Sequence, residues 1–227
     1  DCRGLLIKHG KENKGVGVFI SRSSDVTVKN CVFNQLSPSA LQAFSVDLQN
    51  SHFITIENNI INTKGGASGT AGSGGIRMKL SGCSKIHNNK IITDGQNGYG
   101  VFTERCTNGN QFVENNIITQ AAGGVGLYFT SGNELSVTKN KITTSGSSGL
   151  GIICNQCRES TFNENGILTT SRYVDGFALY GAHNNKGSGN SVSALGRNGN
   201  AFIIADGSSN NVFKNSNLQA GAQTVFL

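Results

Sequence analysis

Apolar residues recur along this chain in runs of four to six, separated by Gly, Asn and Ser, and two patterns repeat from end to end. The first is apolar-x-x-Asn-x-apolar: Ile56, Asn59, Ile61; Ile86, Asn89, Ile91; Val113, Asn116, Ile118; Val137, Asn140, Ile142; and Phe162, Asn165, Ile167. Val28, Cys31, Phe33 is a degenerate early copy. The second is a glycine followed by alternating apolar residues, as in Gly126, Leu127, Phe129. Its glycines fall at Gly75, Gly100, Gly126, Gly151 and Gly176, in steps of 25, 26, 25 and 25 residues, and Gly17 lies 58 residues before Gly75, which leaves room for two more turns. A fixed period of this length is the signature of a solenoid. Strand-sized runs with turn residues between them leave no room for a helix in each repeat, so the predicted fold is all-β. Strands of successive coils would stack in parallel about 4.8 Å apart, with apolar side chains pointing into one continuous core. Asparagine at one place in each coil has two physical uses: it tolerates a left-handed turn, and its stacked amides can hydrogen-bond as a ladder.

These runs, Ile86-His-Asn-Asn-Lys-Ile91 and Gly126-Leu-Tyr-Phe129 among them, resemble the repeats of right-handed parallel β-helix proteins. That pectate-lyase-like superfamily includes polysaccharide lyases, glycosidases, uronate epimerases and phage tailspikes. The resemblance spans nearly the whole chain and implies a right-handed parallel β-helix of about nine coils on a ~25-residue repeat. No family-specific catalytic motif accompanies it, so it limits function only to a broad class.

The repeat runs through residues 1–227 without a linker, which predicts a single β-helix domain; the start at Asp1 fits a mature exported protein or a piece of a longer chain. The expected location is secreted, cell-surface or virion-surface. No apolar stretch approaches the ~18 residues of a membrane span. The 31 glycines and one proline, Pro38, show no period of three, which excludes collagen. A net charge of +6 favours an anionic partner. The basic residues are scattered singly rather than in a stripe, so acidic polysaccharide is expected and nucleic acid is not.

No cofactor or metal is expected. Gly15-Val-Gly17 lacks the strand–helix frame of a dinucleotide site, and the glycine-rich run Lys64–Gly75 lacks the Gly-Lys-Ser/Thr ending of a phosphate loop. That run reads either as a tolerated insertion or as a flap over a neighbouring groove. Cys154-Asn-Gln-Cys157 stands without a second pair, and His9, His52, His87 and His183 have no ligand spacing. Cys31 and Cys154 fall on inward columns and are expected to be free and buried. The open strand ends, Leu5–Ile7 and Val225–Leu227, invite self-association.

Strand alternation lets outward columns be read. One is Ser45, Arg77, Phe102, Tyr128, Ile153, Ala178; beside it runs Asp47, Lys79, Glu104, Thr130, Asn155, Tyr180. Asp47 and Glu104 would stand two coils apart, roughly 9 to 10 Å, near the separation of an inverting acid–base pair. Lys79 could instead remove a proton beside a uronate carboxylate that Arg77 neutralises. Phe102 and Tyr128 would carry a sugar face, with Thr130, Asn155 and Tyr180 along the edge. The expected function is an extracellular polysaccharide-binding β-helix, with lyase or inverting hydrolase chemistry open to it; the alternative is a fibre or tailspike module assembling through its ends. Ordinary cross-strand charge pairs are the competing account of the cluster.

Overall fold

The computed structural model describes residues 1–9, 15–37, 43–65, 73–106, 108–221 and 225–226. Pro38, most of the Lys64–Gly75 run, and Thr224 and Leu227 at the chain end lie outside the described residues. The described chain forms 26 strands and no helix, so no helix is long and apolar enough to cross a membrane. Each repeat places one strand in each of three parallel sheets, nine-, nine- and eight-stranded. Sheet A holds segments such as Lys90–Thr93, Asn116–Thr119 and Lys141–Thr144; sheet B holds Phe44–Gln49, Gly74–Lys79, Tyr99–Glu104 and Val125–Thr130; sheet C holds Lys85–His87, Gln111–Val113 and Ser136–Thr138. Ile91, Ile117 and Ile142 are partners in consecutive coils, which gives coils of 26 and 25 residues. This is the expected parallel β-helix.

The three sheets enclose one core. Ile61, Ile91, Ile117 and Ile142 enter it from sheet A, Ile76, Val101, Leu127 and Ile152 from sheet B, and Ile86, Phe112, Val137 and Phe162 from sheet C, all fully buried. Each side chain packs on an apolar residue one coil above and below, so a small set of residue types stacked in register fills the interior.

Turn chemistry sets the corners. The asparagine ladder forms between sheets C and A: the backbone N–H groups of Asn59, Asn89, Asn115 and Asn140 each donate to the Oδ1 of the next asparagine, at 3.0 to 3.1 Å, as far as Asn190. The left-handed residue is the one before the ladder asparagine, as at Asn58, Asn88, Glu114, Lys139 and Glu164. At the corner between sheets A and B, a Cβ on Gly100 would overlap the Gly126 carbonyl oxygen and the Ile117 Cγ2. Gly75, Gly126, Gly151 and Gly176 are crowded in the same way, so glycine is required there by close approach.

Four expectations are corrected. In the coil at residues 109–132 the inward column is Phe112, Asn115, Ile117 rather than Val113, Asn116, Ile118; a one-residue slip turns every side chain to the other face. In the strand Phe44–Gln49, Asp47 pairs with Arg77 and Gln49 with Lys79, two residues away from the expected alignment, and the residue taking the corner-glycine place is Ser45. Cys31 is buried but joined to Cys2 from the preceding coil. Cys154 is buried but joined to Cys157: the left-handed Gln156 turns the chain at the corner, so both cysteines face inward with Cα atoms 5.5 Å apart.

Candidate functional site

The outer face of sheet B carries the residues singled out from sequence, and its geometry follows from the bend at each corner glycine. The residue before the glycine points outward, the glycine and its successor point inward, and alternation resumes after that. Three outward columns result. The first includes Phe44, Gly74, Tyr99 and Val125; the second Asp47, Arg77, Phe102, Tyr128 and Ile153; the third Gln49, Lys79, Glu104, Thr130, Asn155 and Tyr180.

Asp47 is a buried carboxylate. Its Oδ1 accepts from Arg77 Nε at 2.9 Å, its Oδ2 from Arg77 Nη2 at 2.5 Å, and Gln49 Nε2 donates to Oδ2 at 3.2 Å. Arg77 remains partly accessible, with its guanidinium carbon 5.0 Å from the Phe44 ring centroid. The hydrogen bonds that Arg77 donates to Asp47 hold its guanidinium above the ordinary pKa, outweighing the opposing effect of burial. Asp47 therefore positions Arg77. Lys79 Nζ meets Glu104 Oε1 at 3.2 Å, with both side chains about a third or more exposed.

The corrected register separates the expected acid–base pair. Asp47 and Glu104 are two coils apart and also two residues apart along the strand, about 12 Å at the backbone from the strand and coil spacings. An inverting pair stands roughly 6.5 to 9.5 Å apart, and here Arg77 and Lys79 occupy the intervening coil. The site brings Asp47 to Arg77 and Lys79 to Glu104; it does not bring Asp47 to Glu104.

The aromatic residues do meet. Phe102 and Tyr128 have ring centroids 5.5 Å apart, and Tyr99, which sequence reading missed, lies 5.1 Å from Phe102 and 5.7 Å from Tyr128. All three are half-buried. Burial, with a smaller contribution from the Tyr128 hydroxyl, pushes the Tyr99 phenol upward. Thr130, Asn155 and Tyr180 continue the third column as half-buried polar residues, while Ile153 and Ala178 in the second are buried and leave the platform to the earlier coils. The arrangement offers a cluster of rings tilted 31° to 67° to one another, beside one partly accessible guanidinium and a column of polar residues that runs from coil to coil. Tyr99 was detectable in principle: it stands just before Gly100, at the corner where strand alternation breaks.

A family model described as "Periplasmic copper-binding protein (NosD)" matches residues 3–143. No curated protein sequence matches the chain. Among solved structures, PfbA, a surface adhesin of Streptococcus pneumoniae, is 15% identical with a TM-score of 0.58, over 91% of this chain and 62% of that one. A mannuronan C-5 epimerase A-module of Azotobacter vinelandii, AlgE6, is 13% identical with a TM-score of 0.47, over 89% of this chain and 63% of that one. A glycosyl hydrolase-like protein from Parabacteroides merdae is 10% identical with a TM-score of 0.43, over 71% and 79% respectively. The adhesin likeness shows the fold, and this chain spans less than two thirds of the adhesin's length.

Among the described residues the donors do not gather into a three-ligand metal site, although Cys83 is free and exposed. The Met78 thioether is fully buried, and Cys2, Cys31, Cys154 and Cys157 are in disulfides. Cys106 is buried, with its thiol pushed up to about 11 chiefly by burial. His9 is held inside by Ser45 Oγ at 2.9 Å and the Gly15 carbonyl at 3.2 Å, while His87 meets Glu114 and His183 meets Ser209. Among the described residues no three His, Cys, Asp or Glu side chains converge on a point where a metal ion could sit.

Proposed function

The chain belongs to the NosD family, and on that premise we propose that it is an exported β-helix module that binds acidic polysaccharide along the outer face of sheet B. The observation that carries the reading is the cluster of Tyr99, Phe102 and Tyr128 beside the Arg77 guanidinium, which Asp47 holds in place. Aromatic rings supply apolar area with a polar tip, and a sugar ring offers an apolar face with hydroxyls at its rim. Arg77 gives Nε and Nη2 to Asp47, and the donors of its guanidinium that do not face Asp47 are the ones that meet a carboxylate on the sugar. Thr130, Asn155 and Tyr180 hydrogen-bond along the chain, and an extended glycan repeats over nearly the distance between coils.

Binding without cleavage is the form of this function that the geometry favours. Asp47 is buried and fully engaged, and Glu104 is paired with Lys79. Export is supported by the Cys2–Cys31 and Cys154–Cys157 disulfides, which persist in oxidising compartments. The test is affinity electrophoresis or calorimetry with polygalacturonate, alginate and a neutral glucan. The uronate polymers should bind, and Phe102→Ala with Tyr128→Ala should abolish binding without unfolding the rod. Equal binding of the neutral glucan would remove the acidic assignment, and retention by the double variant would remove the site.

A second reading is favoured by one observation. The strand Leu6–His9 pairs only with Val32–Gln35 among the described residues, and Leu5 and Leu6 beside that open edge are 64% and 44% exposed. Such an edge takes a further strand, whether an earlier coil of the same chain or a strand of another chain. Assembly through this end is compatible with glycan binding on sheet B, and sedimentation of Leu5→Lys and Leu6→Lys variants beside the parent separates it from a monomeric module.

A further inference from the structure

Sheet A, on another side of the rod, carries a notch centred on Gly166. This glycine lies within the strand Gly166–Thr169, paired with Lys141 before it and Ser191 after it. The corner glycines are dictated by crowding, but a Cβ on Gly166 would meet nothing within 4 Å. Gly166 also has no left-handed backbone. Gly166 opens its strand, level with Lys141 and Ser191, and one use of glycine in a strand is to let something approach closely. Neither the backbone nor the core requires it at this position.

It lies in an open groove of about 490 Å³, within the range of roughly 300 to 1,000 Å³ that small-ligand sites occupy. Its walls differ in chemistry. Lys139 and Lys141 stand on one coil, and Ser191 and Ser193 face them from two coils further on. Leu168, 37% exposed, forms an apolar patch on the coil between. Glu164 carries the one carboxylate of the lining and is 4.0 Å from Lys139. Lys141 is exposed and has no carboxylate partner among the described residues.

We propose that this notch is a second glycan subsite, which takes a single carboxylated pyranose unit. The sugar's carboxylate meets the Lys141 ammonium, its ring sits over Gly166 against Leu168, and its hydroxyls exchange hydrogen bonds with Ser191 and Ser193. Lys141 and the serines are two coils apart, about 9.6 Å at the backbone, a span that one pyranose with its substituents bridges. The proposal is independent of the sheet B face: it shares no residue with that face, and either site can fail without the other.

The experiment is a titration of the whole chain with tri-galacturonate, followed by amide chemical shifts, with maltotriose as the neutral probe of equal length. Tri-galacturonate should shift the amides of residues 139–143, 166–168 and 191–193, and maltotriose should not. Gly166→Leu, which fills the notch, and Lys141→Ala should each weaken the response at these amides by at least about tenfold. Gly166→Ala should fold as well as the parent and serves as the control for strand geometry. Tyr128→Ala should leave the sheet A response unchanged, which separates this site from the sheet B face. Absence of shifts at these amides, equal shifts with maltotriose, or unchanged affinity in Gly166→Leu would each overturn the proposal.

Discussion

The Asp47 carboxylate receives both the Nε and the Nη2 of Arg77 from the neighbouring coil, at 2.9 and 2.5 Å, and is itself almost wholly withdrawn from water. The pair is asymmetric, because Arg77 keeps 23% of its side chain accessible. Removing the arginine leaves a buried carboxylate with only Gln49 to hold it, whereas removing the aspartate leaves a cation that can turn to water. Arg77→Ala should therefore cost about 2 to 3 kcal/mol and Asp47→Ala less, with the double variant recovering part of the loss, since a pair removed together costs less than one partner removed alone. Denaturant unfolding of the three variants checks the order. Equal losses that add in the double variant would show that the pair is not coupled.

The ladder makes a sharper test of register. Asn115 is buried and links Asn89 to Asn140, while the adjacent Asn116 faces outward from sheet A. Asn115→Ala takes away the acceptor for the Asn89 N–H and the donor to the Ile86 carbonyl. It should destabilise by about 2 to 4 kcal/mol, because buried backbone groups are left unpaired. Asn116→Ala should stay within about 0.5 kcal/mol of the parent. The same unfolding measurement reads both, and a reversal of the two effects would restore the alternative register.

That pair of residues also shows where sequence reading succeeds and where it stops. Ile86, Asn89 and Ile91 were legible because a copy shifted by one residue would put Lys85 and Lys90, or His87, where the pattern needs apolar residues, so only one face satisfies it. In Phe112-Val-Glu-Asn-Asn-Ile-Ile118 every informative residue is doubled, and both registers satisfy it. Asp47 was displaced because Ser45 stands at the corner where later coils have glycine, and no glycine marked the bend. Tyr99 was missed because alternation fails at that bend. The disulfides were hidden for the same kind of reason: a left-handed corner residue brings Cys154 and Cys157 to one face, against strand parity.

The thiols should divide into two classes. Cys83 is exposed, whereas Cys106 is buried and its thiol is pushed up to about 11, mainly by burial, so little thiolate exists near neutral pH. Without reductant, a maleimide should label one cysteine quickly and a second only on unfolding, and mass spectrometry should place the fast adduct on Cys83. Fast labelling of Cys31 or Cys154 would contradict the two disulfides.

Acid should weaken the first coils through His9. Burial lowers its pKa below the ordinary histidine value, against a smaller upward effect of the Gly15 carbonyl. The folded state thus holds the proton less tightly than the unfolded chain does. The stability this contributes is complete above about pH 6.5 and is lost as pH falls below it. Denaturation at about pH 7.5 and about pH 5 should show a loss in the parent that is smaller in His9→Gln. An equal loss in both would assign the acid sensitivity to other groups.

Binding on sheet B should depend on salt without producing cleavage. Arg77 beside the rings is paired with Asp47 and Lys79 with Glu104, and both cations stay partly accessible, so only part of the local charge is open to a uronate. Exposed charges are screened over roughly 8 to 10 Å near physiological ionic strength. Affinity for polygalacturonate should therefore fall between low and high salt but not vanish, because the Tyr99, Phe102 and Tyr128 contact is apolar and resists screening. Glu104→Gln removes a carboxylate and frees Lys79, so it should strengthen uronate binding and steepen its salt dependence, whereas Arg77→Ala should flatten it. Neither the parent nor any variant should release an unsaturated uronate absorbing in the near ultraviolet or new reducing ends. Product formation by the parent that is lost in Glu104→Gln would return Glu104 to a catalytic role and replace the binding module with an enzyme.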